Sequence, residues 1–403
     1  MKKRASVILI FAVAVGISPA FAGGLLLPKE REALEAHGVS FDIHALEDYV
    51  SVFKGGSIHK DTWMGRFDFG VDVDLEKANI LKGGLIHIDI MNAHGGLKPT
   101  VDMIGDIQTV SNIEAPRTTR LYEAWYQQTF MDSKLSMKAG LHDLNSDFAA
   151  SDNGGLYINS AFGITPSIFA NTTPSIYPLN TLGAMVKYAP DKSFDFMAGV
   201  YDGDPGNPDE NIHNTNITLK AKQLLTIVEG AFHYAAPVSG GLEGTMKLTG
   251  WYNSGDVADV AALDENGDAV MHDDNYGGHM IIDQMLYKEA EGQGLSAFYM
   301  GGFAPQQRNQ IISHQAGGLN YTGLIPKRDK DIAGIALTNV FFSKKLREST
   351  GQDKAETAYE LTYRFEINEN IHVQPDFQYV KRPNGDDNIK NASVFMLRSD
   401  IQF

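Results

Sequence analysis

The side chains with the clearest binding chemistry lie between residues 66 and 125, on segments where apolar and polar residues alternate. Charged groups there can form hydrogen bonds with hydroxyls, and an aromatic ring can stack on an apolar face. The candidates are Arg66, Asp68, His87, Asp89, Arg120, Glu123 and Trp125. Such side chains could bind a solute weakly and reversibly through several small contacts, and none of these residues is predicted to be catalytic.

Other motifs give little support for a cofactor, a metal or a reaction. The loop Asp202–Glu210 is rich in oxygen ligands for calcium, but its residue types are also those of turns, and we prefer the turn. Gly292–Ala297 matches a dinucleotide fingerprint only loosely and opens a strand, so we reject it. The zinc-protease and serine-hydrolase motifs are absent from the sequence. We predict no cofactor and no metal site.

The first 22 residues are typical of a secretory signal peptide. A basic start at Met1–Arg4 precedes an apolar run and the small-x-small site Ala20-Phe21-Ala22. We expect cleavage after Ala22, a periplasmic segment over 23–37 and one large domain over 38–403. Within the periplasmic segment, Pro28–His37 is predicted to form a short polar helix that ends at Gly38, or else a simple leader.

Charge and cysteine content exclude several classes of protein. The formal net charge is −16, and removal of Lys2, Lys3 and Arg4 with the signal peptide leaves −19. A chain this acidic is not predicted to bind nucleic acid or to conduct anions. The absence of cysteine excludes disulfides, zinc-thiolate sites and a cysteine nucleophile.

A period of two residues runs through the chain from Val39 onward. A mostly apolar face from Trp63 to Leu75 alternates with a mostly polar face from Met64 to Asp74, and segments 359–367 and 371–379 repeat the pattern. Such strands have one apolar and one polar face, as in a sandwich or a barrel. Strand lengths of about ten residues and tyrosines near strand ends favour a membrane-spanning barrel.

About sixteen antiparallel strands are predicted. After the signal peptide no apolar run is long enough for a membrane helix, so a membrane protein with this hydropathy must be a closed barrel. The strands are expected to start near residues 39, 62, 83, 118, 134, 182, 194, 224, 242, 277, 294, 310, 331, 356, 370 and 392. Short turns alternate with long polar loops, which is the porin arrangement.

Several motifs resemble those of the carbohydrate-selective porin family of Gram-negative outer membranes, the OprB-like porins. They are Arg120-Leu-Tyr-Glu123, Trp125-Tyr-x-Gln128, Gly140-x-x-Asp143-x-Asn145, Asn159-Ser-x-Phe-Gly163 and Gly199-Val-Tyr-Asp-Gly-Asp-Pro205. The clear matches cover roughly residues 38–206, and the remainder agrees in pattern only. The chain departs from the family at Asn79-Ile-Leu81, where the family often has a tryptophan before paired glycines.

The resemblance implies an outer-membrane channel through which mono- or small oligosaccharides diffuse passively. It also implies that segment 143–181 folds inward as a constriction loop, in which Asp143, Asn145 and Asp147 contact hydroxyls and Phe162 stacks on sugar rings. A surface loop held by its own aromatic residues is the alternative.

The resemblance further implies contact with outer-membrane lipid and assembly as a homotrimer. The last strand ends at Phe403, which resembles the signal read by the barrel-assembly machinery.

The parity of the candidates raises a geometric condition. Arg120 and Glu123 lie on opposite faces of a regular strand, so both can reach the lumen only across a β-bulge or near a strand end. For the whole set, a polar lumen wall without selectivity is the alternative role.

Two other functions remain open from the sequence alone. Within the barrel class, the chain would be a general or cation-preferring diffusion porin. In another class, it would be a soluble periplasmic β-rich sugar-binding protein or glycoside hydrolase, with carboxylates such as Glu360 and Glu366 as a pair.

Overall fold

The computed structural model describes residues 28–96, 99–206, 210–220, 222–236 and 240–403. The predicted signal peptide lies outside these residues. No helix in the described ranges is both long and apolar enough to cross a membrane.

Sixteen strands close into an antiparallel barrel, and two further strands form a separate hairpin. The hairpin is β10 Val257–Leu263 and β11 Ala269–His272. The barrel strands are β1 Val39–Gly56, β2 Asp61–Asp74, β3 Gly84–Gly95, β4 Thr118–Phe130, β5 Leu135–His142, β6 Thr181–Tyr188, β7 Phe194–Asp202, β8 Leu224–Ala236, β9 Leu242–Asn253, β12 Asn275–Ala290, β13 Gln293–Phe303, β14 Ile311–Thr322, β15 Ile332–Phe342, β16 Ala355–Asn368, β17 Ile371–Lys381 and β18 Lys390–Gln402.

The predicted barrel is confirmed, and each predicted strand start lies within two residues of an observed one. Strand β18 pairs with β1, for example at Leu397 opposite Tyr49, and this pairing closes the ring. The sequence did not predict the hairpin β10–β11, which belongs to the long loop after β9. Short strands inside a polar loop carry too little apolar alternation to stand out.

Five helices of four to nine residues lie outside the barrel wall in the described ranges. They are α1 Pro28–Ala36, α2 Thr100–Ile104, α3 Ser160–Gly163, α4 Pro166–Phe169 and α5 Lys344–Thr350. The predicted N-terminal helix is present as α1. Its Arg31 donates to the backbone oxygens of Phe41 and Phe403, and therefore ties the helix to both ends of the barrel chain.

The two faces of each strand carry different residues. Large apolar side chains such as Trp63, Phe67 and Leu361 are exposed on the outside of the barrel, where lipid would cover them. Inside, the apolar side chains that are buried pack against loops rather than against a second sheet. The core of this molecule is therefore the layer between the barrel wall and its infolded loops.

Candidate functional site

Two loops fold into the barrel interior. We call them L2, residues 99–117 between β3 and β4, and L3, residues 143–180 between β5 and β6. L2 buries Met103, Ile104, Val110 and Ile113 against β1, β16, β17 and β18. L3 packs along the rest of the interior through two apolar clusters that involve β6 to β9 and β12 to β15. The prediction that segment 143–181 folds inward agrees with this packing, whereas the infolding of L2 was not predicted.

Carboxylates on the inner wall hold both loops by their backbone. The oxygens of Glu360 accept the N–H groups of Ile158 at 2.6 Å and of Asn159 at 3.1 Å. Glu356 does the same for two N–H groups of L2, at 3.0 and 3.1 Å. The other wall anchors of L3 are Glu123, Glu229 and Asp283. Because a buried backbone N–H needs an acceptor, these contacts fix the course of the loops.

A buried ion pair holds residues 111–112 of L2 in place. Arg398 binds both carboxylate oxygens of Asp48 at 2.8 Å and donates a third hydrogen bond to Asn112 at 2.8 Å. The hydroxyl of Ser111 donates to the same carboxylate at 2.7 Å. A bidentate arginine–carboxylate pair is geometrically specific, so it sets the position of residues 111–112. Sequence reasoning missed this pair because its members lie 350 residues apart.

The loops leave a cavity of about 400 Å³ beside β1, β2 and β18. Polar side chains and two aromatic rings border it, including Arg66, Glu114, Asn145, Phe169, Tyr177 and Arg398. The cavity therefore offers cationic and anionic hydrogen-bonding groups together with aromatic faces. Of the predicted residues, Arg66, Asp143 and Asn145 border it, whereas Glu114 and Arg398 were not among the predictions.

Arg66 is the most constrained of the predicted residues. Its guanidinium lies between two tyrosine rings, 4.8 Å from the centre of Tyr122 and 4.7 Å from that of Tyr177. Its Nε donates to Asp68 at 2.7 Å. Cation–π stacking on two sides restricts the rotamers of the arginine and aims it along the cavity wall.

A β-bulge in β4 explains how Arg120 and Glu123, which would face opposite sides of a regular strand, both face the interior. In the pairing of β3 with β4, Asp89 lies opposite Glu123 while Ile90 lies opposite Leu121, so Tyr122 is the extra residue. Both Arg120 and Glu123 are consequently buried on the inner side. Arg120 donates to the Pro178 carbonyl of L3 at 2.8 Å, which makes it a support of the loop.

A second group, predicted except for Lys138, lies along β3, β4, β5 and the start of L3. His87 stacks on Trp125 with ring centres 4.8 Å apart, and Lys138 lies over the same indole at 4.7 Å. Lys138 also binds Asp147 at 2.7 Å. The indole N–H of Trp125 donates to Glu123 at 2.8 Å. Most of these polar atoms bond to one another, so the group forms a connected polar strip on the wall.

Asp143 and Asn145 shape the start of L3. Asp143 accepts the backbone N–H of Asn145 at 2.7 Å and the hydroxyl of Tyr122. The Asn145 amide donates to backbone oxygens of Phe148 and Gly163. Burial raises the pKa of the Asp143 carboxyl to about 6, and the nearby charge of Glu123 acts in the same direction.

The structure disagrees with the expected role of Phe162. This ring is fully buried, with its centre 4.9 Å from that of Tyr157 and 5.8 Å from that of Phe298. It cannot stack on a sugar there, because its faces are already covered by L3 and by the wall. Its large apolar surface contributes instead to the docking of L3.

No cluster of three histidine or acidic side chains suited to a metal ion occurs among the described residues. In the loop considered for calcium, Asp204 pairs with Lys220 at 3.3 Å, and Asp202 accepts the backbone N–H of Lys220 at 2.7 Å. Residues 207–209 of that loop lie outside the described ranges.

The model of the family described as "Carbohydrate-selective porin, OprB family" matches residues 59–403. The chain belongs to this family. It is 25% identical over 418 residues to Porin B of Pseudomonas aeruginosa, a match that covers 93% of this chain and 89% of that protein. This OprB-family porin is thus a channel for the diffusion of sugars across the outer membrane.

Solved structures share its fold. The high-pH structure of Pseudomonas putida OprB has a TM-score of 0.84 at 22% identity, with 93% of this chain and 97% of that chain covered. The low-pH structure of the same protein has a TM-score of 0.62 at 17% identity, with coverage of 96% and 98%. The family and the fold indicate a channel, so the alternative of a soluble sugar-binding protein or hydrolase is not retained.

Proposed function

We propose that the cavity between L2, L3 and strands β1, β2 and β18 is the constriction that selects sugars. The observation that carries this proposal is the lining of the cavity, in which guanidinium, carboxylate and amide groups lie beside aromatic faces. Sugars present hydroxyls and apolar ring faces to such a wall. Each contact is weak enough by itself to release the solute, as conduction requires.

The residues are proposed to divide into two roles. Arg66, Glu114, Tyr177 and Arg398 border the cavity and would contact the solute. Asp68, Asp89, Arg120 and Glu123 would orient those groups or support L3. The polar strip of His87, Trp125, Lys138 and Asp147 would line the path on the periplasmic side of the constriction.

The first experiment is single-channel recording of the refolded mature protein in a planar bilayer. Glucose, maltose and a neutral non-sugar solute of similar size are titrated in turn. We expect concentration-dependent block by sugar alone. A steady current without saturable block would favour the alternative of a general or cation-preferring diffusion porin.

A variant tests the placement of the site. R66A removes a charged donor held between two rings, and we expect sugar block to weaken by about tenfold. R117A is the control, because Arg117 is an exposed arginine of L2 that donates to the backbone oxygen of Gly95. Equal block in R66A and R117A would contradict the proposed constriction.

Processing and domain limits are also proposed from the sequence. Intact-mass measurement of the exported protein should give a mature chain that starts at Gly23, with a periplasmic segment over 23–37 and the barrel domain over 38–403. A mass that retains residues 1–22 would contradict the proposed cleavage.

Assembly partners are proposed as well. The strand that ends at Phe403 is proposed to bind the barrel-assembly machinery, and deletion of Phe403 should lower the amount of folded protein in the outer membrane. A homotrimer in outer-membrane lipid is proposed, and a neighbouring subunit would suit the outward ion pair of Glu47 with His94 at 2.9 Å better than lipid would. Native mass spectrometry with a monomer mass alone would contradict it.

A further inference from the structure

A buried row of uncharged polar side chains connects L2 to L3 by way of two wall residues on the inner face of the barrel. Its members are Gln108 of L2, Thr338 of β15, His314 of β14 and Thr165 of L3. Each has no exposed surface. None carries a charge that would attract a solute, and none borders the constriction cavity. The row therefore needs an explanation other than direct sugar contact.

The row is continuous at hydrogen-bond distance. The Thr338 hydroxyl donates to Gln108 Oε1 at 2.7 Å. His314 Nε2 lies 3.0 Å from the same hydroxyl oxygen, and His314 Nδ1 lies 3.0 Å from Thr165 Oγ1. Thr165 Oγ1 lies 3.0 Å from Ser167 Oγ, which extends the row along L3.

The direction of every bond in the row follows from Glu356. Its carboxylate accepts backbone N–H groups of Ile107, Gln108 and Asn384, and it also accepts from the Gln108 side-chain amide at 3.1 Å. The amide nitrogen of Gln108 must therefore face Glu356, and its oxygen must face Thr338. Thr338 therefore donates its only hydroxyl hydrogen to that oxygen.

The same logic fixes the imidazole of His314. Because Thr338 donates to Gln108, His314 Nε2 must carry the hydrogen that Thr338 accepts. Nδ1 is then the acceptor, and Thr165 donates to it. A hydrogen on Nδ1 as well would make Thr165 the acceptor, and it would leave a charged ring at full burial with only hydroxyl partners.

A glycine makes the L3 end of this contact possible. Gly302 of β13 pairs with His314 in the barrel. A Cβ atom at Gly302 would lie 3.0 Å from Thr165 Oγ1 and closer still to Ser167 Oγ. Only glycine lets the hydroxyls of Thr165 and Ser167 approach the wall so closely, so the wall is shaped to accept this part of L3.

We infer that His314 is a positioning residue of the channel, which as its neutral Nε2–H tautomer couples the position of L2 to that of L3. Loss of one bond leaves one imidazole nitrogen without its buried partner, and a movement of the ring to satisfy that nitrogen strains the bond at the other, so the two loops shift together rather than singly. The inference rests on the proposed function, in which L2 and L3 form the sugar constriction.

The first test is spectroscopic and needs no sugar. The full mature protein is labelled with ¹⁵N-histidine, and the His314 resonances are assigned by their loss in H314Q. We expect a hydrogen on Nε2 and an acceptor at Nδ1 at neutral pH. A hydrogen on Nδ1, or a doubly protonated ring, would overturn the inference.

The second test is a double-mutant cycle on the loops. T165V and T338V each remove one hydroxyl at opposite nitrogens of His314 and keep the side-chain shape. We expect each to weaken sugar block by about threefold to tenfold. Sugar block in the double variant should be no weaker than block in the more affected single variant, because both substitutions break the same coupling. Multiplied effects would overturn the inference.

T357V is the matched control, since Thr357 lies on the outward face of β16 and donates to Asn339 at 2.9 Å. Its block should equal that of the wild type. If the wild-type protein shows no sugar block, the proposed function fails separately. In that case the tautomer of His314 and the noise of the sugar-free current still test the coupling. We expect this noise to rise in T165V and T338V, and unchanged noise would overturn the inference.

Discussion

At the scale of the residue, acidic side chains of this barrel both hold the infolded loops and border the cavity. Glu360 and Glu356 have their oxygens occupied by backbone N–H groups of the loops. Glu114 accepts the backbone N–H of Thr100 at 2.8 Å within L2, and it also borders the cavity. Part of the large negative charge of the chain therefore serves to hold the loops.

We expect Asp143 to make the stability of the protein depend on pH. Burial raises the pKa of its carboxyl to about 6, above the ordinary value of 3.8. A raised pKa means that the neutral form favours the folded state, so this contribution is complete below about pH 4 and is lost as the pH rises through about 6. Its size is roughly 3 kcal/mol at most.

We therefore predict that D143N removes a fall in stability that the wild type shows between about pH 4 and pH 7. The measurement is urea unfolding in lipid vesicles across that range. D132N, in the exposed turn after β4, serves as the control and should keep the wild-type profile. Parallel profiles for D143N and the wild type would contradict the prediction.

At the scale of the element, loops rather than strands determine what the pore can select. L3 is a long segment with two four-residue helices, α3 and α4. Such short helices have little stability of their own. The loop keeps its shape because wall carboxylates satisfy its backbone and because Phe148, Phe162 and Ile168 are fully buried.

This dependence predicts the effect of removing an anchor. E360A leaves the N–H groups of Ile158 and Asn159 without their acceptor and should weaken the docking of L3 by roughly 2–3 kcal/mol. We expect larger and noisier single-channel currents, because the loop no longer fills the lumen.

The control for this prediction lies on the same strand. Glu366 is near the end of β16 that adjoins the short turn to β17, where it pairs with the exposed Lys330 at 2.9 Å. E366A should therefore leave the current unchanged. Identical currents in E360A and E366A would show that the wall anchor does not hold L3.

At the scale of the whole molecule, closure of the barrel joins the two ends of the chain. Strand β1 pairs with β18, and Arg31 of α1 bridges this seam by donating to Phe41 at 2.9 Å and to Phe403 at 3.2 Å. The guanidinium also lies 4.3 Å from the centre of the Phe41 ring. Helix α1 thus supports the closing strand pair.

We predict that R31A lowers the free energy of unfolding by roughly 1–2 kcal/mol without a change in sugar block. Heat-modifiability on gels and urea midpoints measure the first effect, and bilayer recording measures the second. E35A alters an exposed residue of the same helix and is the control. An unchanged midpoint in R31A would mean that the helix does not support the seam.

The sequence by itself determined the barrel. Alternation with a period of two is a local property, because each strand must present one face to lipid and one to the interior. For that reason the strand starts and the short turns were predictable. The N-terminal helix was predicted from helical propensity, and the infolded segment after β5 from the family resemblance. The motifs around Arg120 and Gly199 were also sufficient to indicate the family.

Only the tertiary structure decided which polar residues do what. The bulge at Tyr122, the clamp of Asp48 by Arg398 and the burial of Phe162 depend on contacts between distant parts of the chain. The infolding of L2 likewise depends on Glu356, which lies 249 residues from Ile107. Alternation tells which side of the wall a residue faces, but the inner side holds both loop anchors and solute contacts, and local sequence does not distinguish them.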